Sequence, residues 1–352
     1  MQIGIEFVPD KPIDKIIKWT KLAEKAGFDN VWITDHYNNR NVWATLAALA
    51  LKTDKIMMGP GVTNPYHINP ALIASAAVTI NELSNGRALI GIGAGDKVTL
   101  NALGIKWEKP VSAVVEAIEY IRTLTDGSSY KKDGRVFSVK KAKLACVKKE
   151  PILDKDGKPV LEDGKKVKRG PKIPIYAGAQ GPMMLRNTAE VADGILINAS
   201  HKKDFEIAIR KIEEGAKKAG RTLNDIDISA YTAFSIGETR KDALKGDTKI
   251  VVAFIVAGSP DLVLKRHSLD MDECNRVREL LQQGNFKDLP DAVTDEMIDA
   301  FAVVGDAHQC IERIQSLEEV GVTQFIVGSP IGPDKAKAIE QVGKKIIPHF
   351  KD

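Results

Sequence analysis

The stretch Gly59-Pro60-Gly61-Val62-Thr63-Asn64-Pro65 closes a short apolar run, Ile56-Met57-Met58, with two glycines and two prolines. Glycine admits backbone conformations closed to other residues, and proline removes an amide donor, so this composition distorts the chain at the end of a strand. One helix earlier, a second strand ends in polar groups, Thr34-Asp35-His36. Polar, distorted strand ends separated by helices are how a β/α barrel assembles a site on the carboxyl face of its strands.

Outward from this stretch, the hydrophobic period alternates between strand and helix. Residues 2–8 read as a strand. Ile13, Ile16, Ile17, Ala23 and Ala26 then recur on one face of a helix that stops at Gly27. Further strands are predicted over 30–34, 55–59 and 87–93, with helices over 42–51, 70–83 and 111–124. The run Ala88-Leu89-Ile90-Gly91-Ile92-Gly93 is almost wholly apolar, as befits a strand buried on both faces. The rhythm returns with strands over 173–177, 194–198, 226–235 and 323–327, and helices over 182–192, 202–220, 307–320 and 334–347. Two stretches interrupt it. Residues 126–172 hold the turn pairs Asp133-Gly134, Asp156-Gly157 and Asp163-Gly164 and read as an inserted hairpin region; residues 238–304 read as a long helical insertion. About eight strands alternating with helices predict an α/β chain folded as a (β/α)8 TIM barrel with insertions, one domain over 1–352, in preference to a doubly wound sheet. Gly91-Ile92-Gly93-Ala94-Gly95-Asp96 has Asp96 in place of a final glycine and falls in the fourth unit, so it does not read as a dinucleotide fingerprint.

Of the 352 residues, 43% are hydrophobic, ample for a large core. Cys146, Cys274 and Cys310 lie far apart, no CxxC occurs and no His pair stands at i, i+4, so disulfides and zinc are disfavoured and no metal is expected. No apolar run approaches the ~20 residues of a membrane span. The longest, residues 250–258, reads as a buried helix turn or a packed interface. Met1-Gln2-Ile3-Gly4 enters a strand with no basic and apolar leader, which predicts a cytoplasmic protein with no membrane partner. The net charge of +4 is unevenly placed: residues 126–172 hold 15 Lys or Arg against 7 Asp or Glu, so the remainder is net acidic. That lobe reads either as a solvated loop or as an attractor for an anionic cofactor tail or substrate. Nucleic-acid binding has little support.

In the first strand, Gly4 and Glu6 alternate with Ile3, Ile5 and Phe7 and would point into a barrel. A luminal carboxylate desolvated near the catalytic end gains proton affinity and suits a general acid; the alternative is a structural partner for an interior Lys or Arg. Asp35 and His36 suit hydrogen bonds to a ligand ring, or a helix cap and a surface histidine. Tyr176-Ala177-Gly178-Ala179-Gln180-Gly181-Pro182 joins a strand to a helix, as a phosphate cradle or a tight turn would. Gly93-Ala94-Gly95 leaves room for a flat ring, with Asp96 beside it as a carboxylate or an N-cap.

Together these pieces resemble the bacterial-luciferase-like flavin and deazaflavin oxidoreductases. Within them the chain is most similar to the methylenetetrahydromethanopterin reductase family of methanogenic archaea. The matching motifs are Ile3-Gly4-Ile5-Glu6-Phe7, Thr34-Asp35-His36-Tyr37-Asn38-Asn39-Arg40, Gly59-Pro60-Gly61-Val62-Thr63-Asn64-Pro65-Tyr66, Gly91-Ile92-Gly93-Ala94-Gly95-Asp96 and Ala177-Gly178-Ala179-Gln180-Gly181. The resemblance implies an oxidoreductase of methanogenesis in which reduced coenzyme F420 gives hydride to 5,10-methylenetetrahydromethanopterin, forming the 5-methyl product. It implies a non-prolyl cis peptide at Gly61-Val62, and contacts to the coenzyme from Asp35, Gly61, Val62, Thr63, Ala94 and Gly95. Ala179, Gln180, Gly181 and Met183 would meet its phosphate. Glu6 would be the catalytic acid, with Asp96 as a secondary candidate for proton relay or substrate orientation. A homodimer or homotetramer built through the early helices is implied too. Other readings are an F420-dependent secondary alcohol dehydrogenase using His36, a flavin monooxygenase, or a non-catalytic deazaflavin-binding barrel; a luminal Glu6 argues against the last.

Overall fold

The computed structural model describes residues 1–351. Strands β1 (Gln2–Phe7), β2 (Asn30–Ile33), β3 (Met57–Pro60), β4 (Ile90–Ile92), β5 (Ile175–Gly178), β6 (Gly194–Ile197), β7 (Asp227–Ile236), β8 (Ala302–Gly305) and β9 (Gln324–Ile331) form one sheet. Its order is β3-β2-β1-β9-β7-β6-β5-β4, with β8 against β7, and all pairs are parallel. Parallel bridges at Met58–Ala88 and Thr63–Ile92 join β3 to β4 and complete the ring. This is the (β/α)8 barrel.

Parallel neighbours cannot be joined by a tight turn, and the helices supply the crossovers. The first, Ile13–Ala26, buries Ile16, Thr20 and Ala23, positions three and four apart on one face. It stops at Gly27, whose φ of 93° lets its N–H reach back to the last carbonyls. The period of two along β1 sends Ile3, Ile5 and Phe7 into the core between sheet and helices. Alternate positions fill the lumen instead: Trp32, Leu89, Tyr176, Leu196 and Ile326 form a separate buried cluster, with Val62 and Tyr231 packed on it.

The two interruptions differ in kind. In residues 126–172, Tyr130–Asp133 pairs with Ser138–Ala142, Glu150–Pro151 with Lys168–Arg169, and Leu161–Glu162 with Lys165–Lys166, all antiparallel. Glu116, buried on the helix Pro110–Thr125, accepts the backbone N–H groups of Arg135, Val136 and Phe137 at 2.8, 3.0 and 3.1 Å and pins the first hairpin. The lobe leaves the C-terminal end of that helix and leads into the start of β5, so its root lies at the barrel end opposite the strand C-termini. Residues 238–304 fold into short helices around a second core that includes Val252, Val256, Leu264, Val277 and Ile298. They are not helical throughout, as the sequence pattern predicted. The last residues form β8, which starts directly after the helix Asp295–Phe301 with no turn residue to mark the change. A short helix at Lys97–Ala102, also unpredicted, follows Asp96. Among the described residues, no helix is long and apolar enough to cross a membrane.

Candidate active site

The C-terminal end of β3 does what its glycines and prolines predict. The Gly61–Val62 peptide is cis. Beyond it the chain rejoins β4: Thr63 N–H donates to Gly91 O, and Gly93 N–H to Thr63 O. Between these points Val62 swings inward over three glycines. A Cβ on Gly93 would stand 2.8 Å from Val62 Cγ2, and one on Gly178 would stand 3.3 Å away; Gly91 would crowd Val62 Cγ1 at 3.1 Å. Gly93 and Gly178 therefore make room for one side chain, while Gly91 is required first by the close approach of the Pro60 carbonyl. Tyr231 Oη, from inside the barrel, donates to Gly61 O at 3.1 Å and holds the swing in place.

Asp35 organises the next layer. Its Oδ2 accepts from Thr63 Oγ1 at 2.7 Å and lies 3.0 Å from His67 Nε2. Asn64 Oδ1 accepts the N–H groups of Tyr66 and His67, and its amide nitrogen lies 2.6 Å from His67 Nδ1. Side chains thus extend the junction of β2 and β3 beyond the last sheet bond there, from Gly61 N–H to Ile33 O at 2.8 Å.

Glu6 lies on the barrel wall near this network, 6% exposed. Its carboxylate accepts from Ser329, through the backbone N–H at 3.1 Å and the hydroxyl at 3.4 Å. Burial pushes its pKa above the usual carboxylate range; the Ser329 hydrogen bonds and the charge of Lys335 oppose that rise without cancelling it. Burial and the nearby Glu6 likewise push Tyr231 well above its ordinary value, so its hydroxyl keeps its proton. Lys335 is lowered by burial, against the pull of Glu6 and Asp10.

A cavity of about 610 Å³ opens beside Glu6. Thr34, His36, Tyr231 and Ser329 share its wall at the barrel mouth, and Gln180 and Pro182 stand at the start of the helix Pro182–Ala189. The second insertion roofs it with Val251, Phe254 and Ile255. The wall is ready for a ligand in two respects. Thr34 Oγ1 is buried without a partner among the described residues. Gly181 caps the helix Pro182–Ala189 with no side-chain bond to its amides, and a Cβ there would meet nothing within 4 Å.

Of the other sequence-predicted residues, Gln180 lines this opening, while Ala94, Gly95, Asp96, Ala179 and Met183 are not in its lining. Ala94 accepts the indole N–H of Trp107 through its carbonyl at 2.8 Å, which ties the loop over the mouth. Gly95 has a φ of 70°, and a Cβ on it would press on Leu100 at 2.9 Å. Asp96 caps the helix Lys97–Ala102, accepting from Val98 and Thr99. Burial raises its pKa somewhat, but the Thr99 and Val98 hydrogen bonds and the charge of His36 outweigh this and leave it lowered. Ala179 is buried, Gln180 donates to Asn198 O at 3.1 Å, and Met183 is 66% exposed. Sequence reasoning missed Ser329, Tyr231, Lys335, His67 and Asn64 as neighbours of these groups. Ser329-Pro330, another strand end broken by proline, was a readable signal; its peptide is cis as well.

Residues 2–324 match the luciferase-like monooxygenase family. The chain is 52% identical to a 5,10-methylenetetrahydromethanopterin reductase from Archaeoglobus fulgidus, over 100% of both chains. It is 48% identical to an enzyme of that name from Methanolobus tindarius, over 99% of this chain and 100% of the other. Its fold superposes with a TM-score of 0.88 on the solved coenzyme F420 dependent tetrahydromethanopterin reductase from Methanopyrus kandleri, at 41% identity and 99% coverage of each chain. A barrel with this glycine-lined swing in β3, matched at that identity along its whole length, belongs to the luciferase-like family and, within it, to the 5,10-methylenetetrahydromethanopterin reductases.

Proposed function

We propose that this chain reduces 5,10-methylenetetrahydromethanopterin to the 5-methyl compound at the barrel mouth, with coenzyme F420 as hydride carrier. The observation that carries the reading is Glu6: a buried carboxyl of raised pKa, on the wall of the cavity at the barrel mouth, with no ion pair among the described residues. When bound, the reduced deazaflavin supplies two electrons as a hydride. The chain supplies the rest. The methylene carbon of the substrate bridges two nitrogens, and protonating one of them opens the ring to an electrophilic iminium carbon. Glu6 is kept protonated by desolvation at pH values where an ordinary glutamic acid is ionised, so it has that proton to give. General acid catalysis of this kind contributes ~10²–10⁴-fold.

The residues present suit the carrier. Val62 and the small residues Gly93, Ala94 and Gly95 offer a flat apolar wall for a ring, and the Asp35–Thr63–His67 network offers polar groups at its edge. The bare N-terminus behind Gly181, with Gln180 and Met183 beside it, suits a phosphate. Asp96, held ionised by its own helix, suits orientation of the substrate rather than proton donation. The roof of Val251, Phe254 and Ile255 keeps water from the electrophilic carbon. We place the second copy of a homo-oligomer on the helices Val42–Ala50 and Pro70–Leu83, at whose surface Leu51 and Leu72 are about two-thirds exposed.

A stopped-flow absorbance trace of the reduced coenzyme mixed with the methylene pterin tests the reaction. Reoxidation of the deazaflavin at enzyme-dependent rates is expected. Oxidation of isopropanol with no response to the pterin would instead favour the alcohol-dehydrogenase reading and His36.

A further inference from the structure

The proposed reaction leaves part of the cavity's lining unused. Arg266, the last residue of the helix Asp261–Arg266, is in that lining. The same wall carries apolar side chains, among them Leu185, Ile197, Phe254 and Ile255, together with the polar Asn198 and Ser259. The guanidinium is held from behind. Its Nη1 donates to Asp204 Oδ1 at 2.7 Å, and the other oxygen of Asp204 lies 2.9 Å from His267 Nε2. Asp204 and His267 are 11% and 3% exposed at their side chains, and His267 meets His201 and Phe301 edge-on, with ring centroids 5.1 and 5.3 Å away. The brace is therefore packed and rigid. A guanidinium presents five donors in a fixed fork. Nε and Nη2 of Arg266 donate to none of the described residues, although the side chain is only 26% exposed. Donors held in a cavity wall and not used by the protein are open to a ligand that accepts from them.

We propose that Arg266, braced by Asp204 and His267, binds the anionic tail of a ligand whose ring sits at the barrel mouth. The group it takes is a phosphate or a carboxylate, for which planar paired N–H donors are suited. This rests on the reaction proposed above, in which both reactants carry such groups beyond their rings: the deazaflavin coenzyme and the reduced pterin.

The test uses Arg266→Met and Arg266→Lys in the full chain. Binding of the oxidised coenzyme is titrated by fluorescence, alongside a tail-less deazaflavin that ends before the phosphate. If the tail is the coenzyme's, Arg266→Met weakens the full coenzyme about tenfold or more and leaves the tail-less form within about twofold. If it is the substrate's, coenzyme binding is unchanged. The KM for the full methylene pterin then rises by that factor, while the KM for an analogue cut after its aryl ring does not. Arg266→Lys keeps a cation beside Asp204 without the planar fork; it shows the same selectivity at smaller size and serves if the Met variant fails to fold. Equal effects on full and truncated ligands overturn the proposal. The coenzyme arm needs no turnover, so a wild-type chain inert toward the methylene pterin would sink the proposed reaction and still leave this arm readable.

Discussion

At the scale of single residues, two titrating groups make opposite predictions. Glu6 has a raised pKa because burial disfavours its charge. Its protonated form is the useful one, so kcat/KM should fall as pH climbs through that raised value, above the range where free glutamate titrates. Glu6→Gln should lower kcat at least tenfold, abolish this alkaline limb and leave coenzyme affinity nearly unchanged; rates measured across pH, with a binding titration beside them, check all three. Stability follows the same sign. The contribution of a raised carboxyl is fully present below its unfolded value and is lost as pH rises through its folded one, so Glu6→Gln removes that alkaline loss. His201 runs the other way. Burial first, then the charges of Arg313 and His267, push it down to about 4. Its neutral Nδ1 accepts Lys203 N–H at 3.2 Å and caps the helix Lys202–Lys218. The unfolded chain takes up that proton at a higher pH than the folded one, so stability should fall as pH drops from about 6.5 toward 4. In His201→Asn, which can still accept at a helix N-terminus, the slope of the melting temperature over that window should flatten.

At the scale of elements, the swing at the end of β3 and the glycines of β4 and β5 act as one unit. Gly93→Ala would put a methyl 2.8 Å from Val62 Cγ2. The expected result is a coenzyme affinity weakened about tenfold with a melting point moved by only a few degrees, read by titration and calorimetry; an unaltered affinity would show that Val62 does not bear on the ring. The distortion at the end of β3 was legible in the sequence because glycine and proline leave marks that no tertiary contact is needed to interpret; that the glycines of β4 and β5 make room for Val62 was not, because it depends on contacts between strands far apart in the chain. The seat of Glu6 was half legible. Period-two alternation predicted its inward direction, but its partner Ser329 lies 323 residues away, and no local pattern encodes a pairing across that distance. The strand β8 escaped for a different reason. Ala302-Val303-Val304-Gly305 continues the apolar character of the helix before it without a break, and only its pairing to β7 makes it a strand.

At the scale of the molecule, charge and site are at opposite ends. The Lys-rich residues 126–172 are rooted where the helix Pro110–Thr125 ends, away from the strand C-termini that hold Glu6, Asp35 and Thr63. Of the two readings open to the sequence, placement favours the solvated lobe over an attractor for the coenzyme. Replacing residues 153–166 by a short glycine linker should leave kcat and the KM for coenzyme within about twofold at physiological ionic strength, because fields from exposed charges fade over a Debye length of about 8 Å. A KM that rises and becomes less salt-dependent would restore the attractor reading.

The junction of β3 with β4 has one more consequence. The ring there is stitched at Met58–Ala88 and Thr63–Ile92, with a gap spanning the stretch that carries Val62. Elsewhere the staves are pinned by paired strands, with one register shift, between Ala233 and Ser235 on β7. A seam with a slack middle is where the amides of Leu89 and Thr63, bonded to Met58 and Gly91, should trade hydrogen for deuterium soonest within the barrel wall. A heterocycle docked against Val62 should act as the missing rivet and slow that exchange, so mass spectrometry of peptides spanning the seam would register occupancy without any turnover at all.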